Sequence, residues 1–252
     1  MKTTVRFLLF SAVLLATVVF AVGQSQAATI FSDNFESYAD TAAMQVVWGA
    51  AGAATLDPNF GNPGQSGFQP GPAQNQVTIP GIVATALNPI EYTVDIYDDG
   101  TSANKRMTAG LRNSGVANLI EMGMYNNPSH YAVRAVLPGP SWVAFSGMTD
   151  DSGTPINNEP VVGWHTYKVV LDGTDATFTI DLGGTGIING TAVLGAAFNA
   201  GFPINTVRMG LGLSSAGGPA NFDNFDLQVI PEPASLMLLG IAGIGFVARR
   251  RR

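Results

Sequence analysis

Two histidines, His130 and His165, are the only imidazoles in this chain of 252 residues, and cysteine is absent. Thiol chemistry is therefore excluded. No Gly-x-Ser-x-Gly elbow, His-Glu-x-x-His pair or Walker loop occurs. His165 falls on the apolar side of an alternating stretch and reads as a packed residue, while His130 follows Asn127-Pro128-Ser129 in a turn. Acid–base work would then rest on carboxylates. Glu91 and Asp95 share one face of an alternating segment, but four residues at ~3.3 Å each put them roughly 13 Å apart. Glycosidases hold their two carboxyls about 5–10 Å apart. Glu121, on a neighbouring strand candidate, could supply a partner. General acid–base catalysis requires both groups in position, and neither is visible. We expect no enzyme; the alternative is a polysaccharide-acting glycoside hydrolase.

Binding chemistry has more to build on. Glu91, Thr93, Asp95 and Tyr97 line the polar side of one segment; Arg106, Thr108 and Arg112 line that of the next, and Arg208 that of a third. If these segments lie in one sheet, then Glu91, Asp95, Tyr97, Arg106 and Arg112 form a candidate carbohydrate-binding face. An ordinary solvated face with cross-strand ion pairs, worth ~0.2–1 kcal/mol each, would show the same alternation. Asp98-Asp99-Gly100, Asp150-Asp151-Ser152 and Asp172-Gly173-Thr174-Asp175 are oxygen-rich turns. None has EF-hand spacing, and Asp and Gly are turn formers without any metal. No cofactor or metal site follows; calcium at these turns is the one option left open.

The elements that must position these groups alternate at period two, as half-buried strands do. Tyr92, Val94 and Ile96 share a face, as do Met107, Ala109 and Leu111, and then Tyr131, Val133, Ala135 and Leu137, ended by Pro138-Gly139-Pro140. His165, Tyr167, Val169 and Leu171 pair across a turn with Phe178, Ile180 and Leu182. Val207, Met209, Leu211 and Leu213 make another set, and Phe225, Leu227 and Val229 the last. Residues 29–38 look like an edge strand. Trp48 to Gly81 is crowded with Gly, Pro, Asn and Gln and reads as a long ordered loop over one sheet. No segment between the two ends shows a helical period.

Those ends stand apart. Lys2 and Arg6, an apolar run from Phe7 to Gly23 and Ser25-Gln26-Ala27 have the plan of a secretory signal peptide, residues 1–27, cut between Ala27 and Ala28. At the other end, residues 230–252 run Pro231-Glu232-Pro233, then uncharged Ala234 to Ala248, then Arg249 to Arg252. The apolar part would reach about 22 Å as a helix, short of the ~30 Å hydrocarbon core. This order resembles the PEP-CTERM sorting signal of Gram-negative bacteria. The resemblance implies export through the inner membrane, transient anchoring by the C-terminal helix, cleavage at Pro231-Glu232-Pro233 by an exosortase-type transpeptidase, and delivery to the cell surface or its extracellular matrix. Signal peptidase and exosortase would be partners, and extracellular polysaccharide a further one. A retained tail anchor is the alternative.

Residues 28–229 suit one domain. Setting the ends aside leaves six basic and seventeen acidic side chains, a net charge near −11. Lys and Arg clusters of the kind nucleic acid requires are lacking, so that partner is not expected. An acidic domain should also repel acidic polysaccharide unless a cation bridges the two. Gly163-Trp164-His165-Thr166-Tyr167-Lys168 through Asp181 is similar to the tryptophan–tyrosine hairpin of laminin G-like, concanavalin A-like domains. Ser32-Asp33-Asn34-Phe35-Glu36 and Phe222-Asp223-Asn224-Phe225-Asp226 resemble their first and last strands. The fold expected is all-β, a two-sheet antiparallel jelly roll whose terminal strands pair, flanked by an N-terminal signal helix and a C-terminal hydrophobic helix. The function expected is that of a structural or adhesive matrix component.

Overall fold

The computed structural model describes residues 27–101, 105–115, 117–126, 128–135, 141–195, 203–210 and 218–230. The signal segment up to residue 26, the sorting motif Pro231, Glu232 and Pro233, the two expected terminal helices, Leu137 to Pro140, and Leu211 and Leu213 lie outside them. Ala27 and Ala28 are exposed, the latter opening the first strand. Residues Ala28–Val229 make one compact unit. Among the described residues no helix is long and apolar enough to cross a membrane.

Period-two alternation becomes two antiparallel sheets that bury their apolar faces on each other. The first runs β12 (Gly190–Gly195), β11 (Asp175–Leu182), β10 (Gly163–Leu171), β5 (Ile90–Asp98), β14 (Ala220–Val229), β3 (Gly64–Gln69), β2 (Thr55–Gly61), with β1 (Ala28–Asp33) also paired to β14. The second runs β4 (Gln74–Ile82), β13 (Ile204–Gly210), β6 (Met107–Asn113), β7 (Ala117–Met124), β8 (Tyr131–Ala135), β9 (Val143–Ala144). The architecture is the expected all-β sandwich, and the first and last strands lie side by side, with Thr29 opposite Gln228 and Asp33 opposite Phe225. Tyr92, Val94 and Ile96 from β5 meet Met107, Ala109 and Leu111 from β6 in one core with Tyr167, Val169, Phe178 and Phe225. Tyr167 points inward and Trp164 outward, as the alternation requires.

Two expectations are corrected. The stretch from Trp48 to Gly81 is not a loop: β2, β3 and β4 run through it, because partners distant in sequence complete their ladders. Phe68 pairs with Asn221 of β14, and Val77 with Val207 of β13. Second, helix α1 (Thr41–Trp48) exists. Asp40 caps it, accepting the Ala43 amide at 2.8 Å, and Gly49 ends it at φ 72°. Two turns bury only Met44 and Trp48, too short a pattern for periodicity to register. Trp48 packs 4.7 Å from Phe225 and donates Nε1 to Asp33 at 2.8 Å, so the helix plugs one edge of the core.

Candidate functional site

Alternation puts Glu91, Thr93, Asp95 and Tyr97 on the outer face of the first sheet, opposite the core-facing Tyr92, Val94 and Ile96. β10 lies beside them in register, Trp164 against Tyr97 and Thr166 against Asp95. The turn joining β2 to β3 folds across this face. Phe60, near the end of β2, sits edge-on to Tyr97 at 4.7 Å and stacks with Trp164 at 5.7 Å, while Tyr97 and Trp164 lie 5.5 Å apart. All three rings keep solvent-exposed surface, Phe60 38% of its own. They form an aromatic platform with polar groups along one side. Thr166 Oγ1 donates to Asp95 at 2.6 Å, and the side-chain amides of Asn62 and Asn224 donate to the other Asp95 oxygen at 3.0 and 2.8 Å. Asp223, directly across from Asp95, accepts the backbone amides of Asn62 and Asn224. Burial, helped by the negative charges of Asp95 and Glu36, pushes the Asp223 carboxyl up to about 6. Further along, Glu91 pairs with Lys168 and accepts from Gln228 at 3.0 Å.

Arg106 and Arg112 are not on this face. The single face expected from sequence is split, because the chain crosses from one sheet to the other between β5 and β6 instead of forming a hairpin. Lys105 ties the crossing, its Nζ 2.7 Å from Asp99 and 3.8 Å from Asp98. Arg112 stands on the outer face of the second sheet with Thr108, Glu121, Arg134 and Arg208. Cross-strand register sets Arg208, Gly110, Glu121 and Arg134 in one row. Arg134 and Arg208 each pair with Glu121, and all three are buried, at 4%, 1% and 0% exposure. Gly110 lets the pair close across an intervening strand, since a Cβ there would lie 2.4 Å from the Ile120 carbonyl and 3.3 Å from Glu121 Cγ. Beside this row Arg106 lies 4.9 Å over the Tyr125 ring, Tyr125 stacks on Trp142 at 3.8 Å, and Arg134 lies 4.8 Å over Trp142. The result is a guanidinium–ring–ring–guanidinium stack.

Both histidines are buried. His165 is buried as expected: Nδ1 accepts the Gly183 amide at 3.0 Å, so Nε2 carries the proton and lies 2.7 Å from the Val161 carbonyl. Burial holds its pKa down. His130, placed in a turn as expected, is buried, 2.6 Å from Asp98 and 2.6 Å from Asn126. The three acidic turns spend their carboxylates locally: Asp98 on Gly100, Asp99 on Thr101, Asp150 on Ser152 and Thr154, Asp172 on Thr174 and Asp175. Among the described residues no three His, Asp or Glu side chains converge as metal ligands.

Residues 229–252 match the PEP-CTERM protein-sorting motif. The tail is a sorting signal. It implies export in bacteria, transient anchoring in the membrane and processing by an exosortase. No curated protein matches the sequence. Among solved structures, the binding domain of Paraclostridial Mosquitocidal Protein 1 is similar at 10% identity and TM-score 0.52, over 82% of this chain and 50% of that one; this chain spans half its length. Domain 4 of AbnA, a GH43 extracellular arabinanase from Geobacillus stearothermophilus in complex with arabinotriose, is similar at 8% identity and TM-score 0.49, over 81% and 93%. Cellulose induced protein Cip1 follows at 14% and TM-score 0.49, over 78% and 96%. At such identities the likeness is one of fold.

Proposed function

We propose that the protein is a non-catalytic, surface-sorted component of an extracellular polysaccharide matrix, and that it holds glycan on the outer face of the first sheet. The signal peptide expected at residues 1–27 starts its export, the sorting tail directs it to the surface of a Gram-negative cell, and the domain supplies adhesion. One observation carries the binding role: three rings from three strands, Phe60, Tyr97 and Trp164, meet on a partly exposed outer face beside Thr166 and Asn62. Water-facing sheet surfaces are ordinarily polar, and amphipathic rings give apolar contact at low entropic cost. Such a shallow site binds weakly, and many copies in a matrix supply the retention. A glycan array with the protein displayed multivalently, with and without calcium, is the test. Binding that is lost in Tyr97→Ala and Trp164→Ala while thermal stability holds supports the site; no binding to any glycan leaves an inert scaffold. Intact-mass measurement of surface-extracted protein checks the route, with loss of everything after about Pro233 expected and retention of Arg252 pointing to a tail anchor.

A specific observation favours a second reading, hydrolysis. Asp95 and Asp223 are cross-strand neighbours, whose Cβ atoms stand ~4.5–5.5 Å apart in such pairs, and Asp223 holds its proton to about pH 6. Against it, the Asn62 and Asn224 amides and the Thr166 hydroxyl occupy both carboxyls. Release of reducing ends from a bound glycan, abolished in Asp223→Asn, would establish it.

A further inference from the structure

Six basic side chains remain between the two processed ends: Lys105, Arg106, Arg112, Arg134, Lys168 and Arg208. All four arginines belong to the outer face of the second sheet. Arg106 immediately precedes β6 and Arg112 lies within it, Arg134 comes from β8 and Arg208 from β13. Glu121 pairs with Arg134 and Arg208, and the outward positions of β6, β7, β8 and β13, with Arg106 just before β6, carry these four guanidiniums and that one carboxylate. The face therefore carries a local excess of three positive charges in a domain near −11. Burial lowers the Arg208 pKa, and the charges of Arg112 and Arg134 act in the same direction. Thr108, between Arg106 and Gly110 on the same side of β6, is fully buried and its Oγ1 has no hydrogen-bond partner. Arg106 and Arg112 keep part of their surface in solvent.

We propose that this face binds the carboxylates of an acidic polysaccharide, a polyuronate, with Arg106 and Arg112 as the accessible contacts. Guanidinium forks pair with carboxylates bidentately. The stack through Tyr125 and Trp142 holds Arg106 and Arg134 in place, so little side-chain freedom is lost on binding. The acidic cluster of Asp95, Asp223, Glu91 and Asp226 lies on the opposite outer face, beyond two sheets packed ~10 Å apart. A ligand on this face therefore meets the arginines directly, and these nearest charges rather than the domain's total decide the matter at this site. The inference rests on the matrix reading for its polymer class, yet uses a different surface from the aromatic platform.

The test is titration of the purified protein with tetragalacturonate and with its methyl ester, which keeps the ring shapes and loses the charges. The acid is expected to bind at least about tenfold tighter than the ester, more weakly as salt rises, and at least about tenfold more weakly to Arg112→Gln. Arg112 is outside the pairs with Glu121, so that variant should melt like wild type. Trp164→Ala, which disables the proposed neutral-glycan platform, should bind the acid unchanged. Equal binding of acid and ester, or an Arg112→Gln variant that binds like wild type, overturns the proposal without touching the platform. So does an acidic peptide binding as tightly as the uronate. Concentration-dependent self-association that Arg112→Gln abolishes would reassign the face to a contact between copies. Loss of platform binding alone leaves this proposal standing.

Discussion

The two outer faces of the sandwich are made from the same alternation and end up opposite in character. On the first sheet the polar positions of β5 and β10 carry carboxylates, amides and hydroxyls around an exposed aromatic trio. On the second, the equivalent positions of β6, β7, β8 and β13 carry arginines closed over one glutamate, and most of that cluster is buried. The difference lies in what each carboxylate faces. Asp95 and Asp223 are satisfied by neutral donors, and burial, with the like charge beside it adding to the effect, makes Asp223 hard to ionise. Glu121 is satisfied by two full positive charges. The lesson is that period two assigns a residue to a side of its strand, and long-range pairing alone decides whether that side is a surface or a second, polar core.

Removing the central carboxylate should break the comparison most sharply. Glu121→Gln leaves Arg134 and Arg208 buried around a neutral amide, and deleting one partner of a buried ion pair costs about 3–5 kcal/mol. That is as much as truncating a buried aromatic such as Tyr167 to Ala, and a large share of a domain's ~5–15 kcal/mol. Denaturant unfolding measures both. Asp95→Asn, on the other face, exchanges one neutral-donor acceptor for another and should cost about 1 kcal/mol. If Glu121→Gln and Asp95→Asn lose the same amount, the second face is not a polar core.

Binding should sharpen the contrast at a smaller scale. Trp164→Ala is expected to weaken glycan affinity about tenfold, roughly 1.4 kcal/mol, with a stability change under ~0.5 kcal/mol, as surface positions usually show. A large drop in melting temperature would instead make the platform a clasp that holds the β2–β3 turn to the sheet.

Sequence made some of this legible. Strands with long alternating runs, β5, β6, β10, β11 and β14, could be read because each buries every second residue on its own account. The stretch containing β2, β3 and β4 could not, since its Gly, Pro, Asn and Gln residues gain their roles from distant partners: Asn75 accepts from Ala54 and donates to Gly49, and Gln69 bonds Gly52. Of the site, Glu91, Asp95 and Tyr97 were correctly set on one face. That Phe60 and Trp164 join Tyr97 in an exposed aromatic trio is not legible in the sequence; the register that brings Trp164 beside Tyr97 joins strands separated by most of the second sheet. Arg106 and Arg112 were grouped with the wrong sheet, because nothing local distinguishes a hairpin from a crossing at Asp98-Asp99-Gly100.

The smallest effect expected concerns acid. His165 is neutral and its pKa is held down by burial, so below its unfolded value near 6.5 the unfolded chain takes up a proton that the fold resists. Stability should fall as pH drops from about 6.5. Asp98, lowered in part by hydrogen bonds from His130, Tyr131 and Gly100, adds to that loss only below its ordinary value of 3.8. Asp223 works the other way. Its folded pKa of about 6 lies above the unfolded value, so between 3.8 and 6 the folded protein binds the extra proton, and stability gained there is lost again as pH rises through 6. The two groups sit in different parts of the sandwich and their slopes oppose each other in the same window. Asp223→Asn removes one slope and leaves the other, so the variant should lose stability more steeply than wild type between pH 6 and 4. Parallel curves for the two proteins in denaturant titrations across that range would mean that Asp223 is ionised in the fold, and that the first face is less crowded with negative charge than its geometry implies.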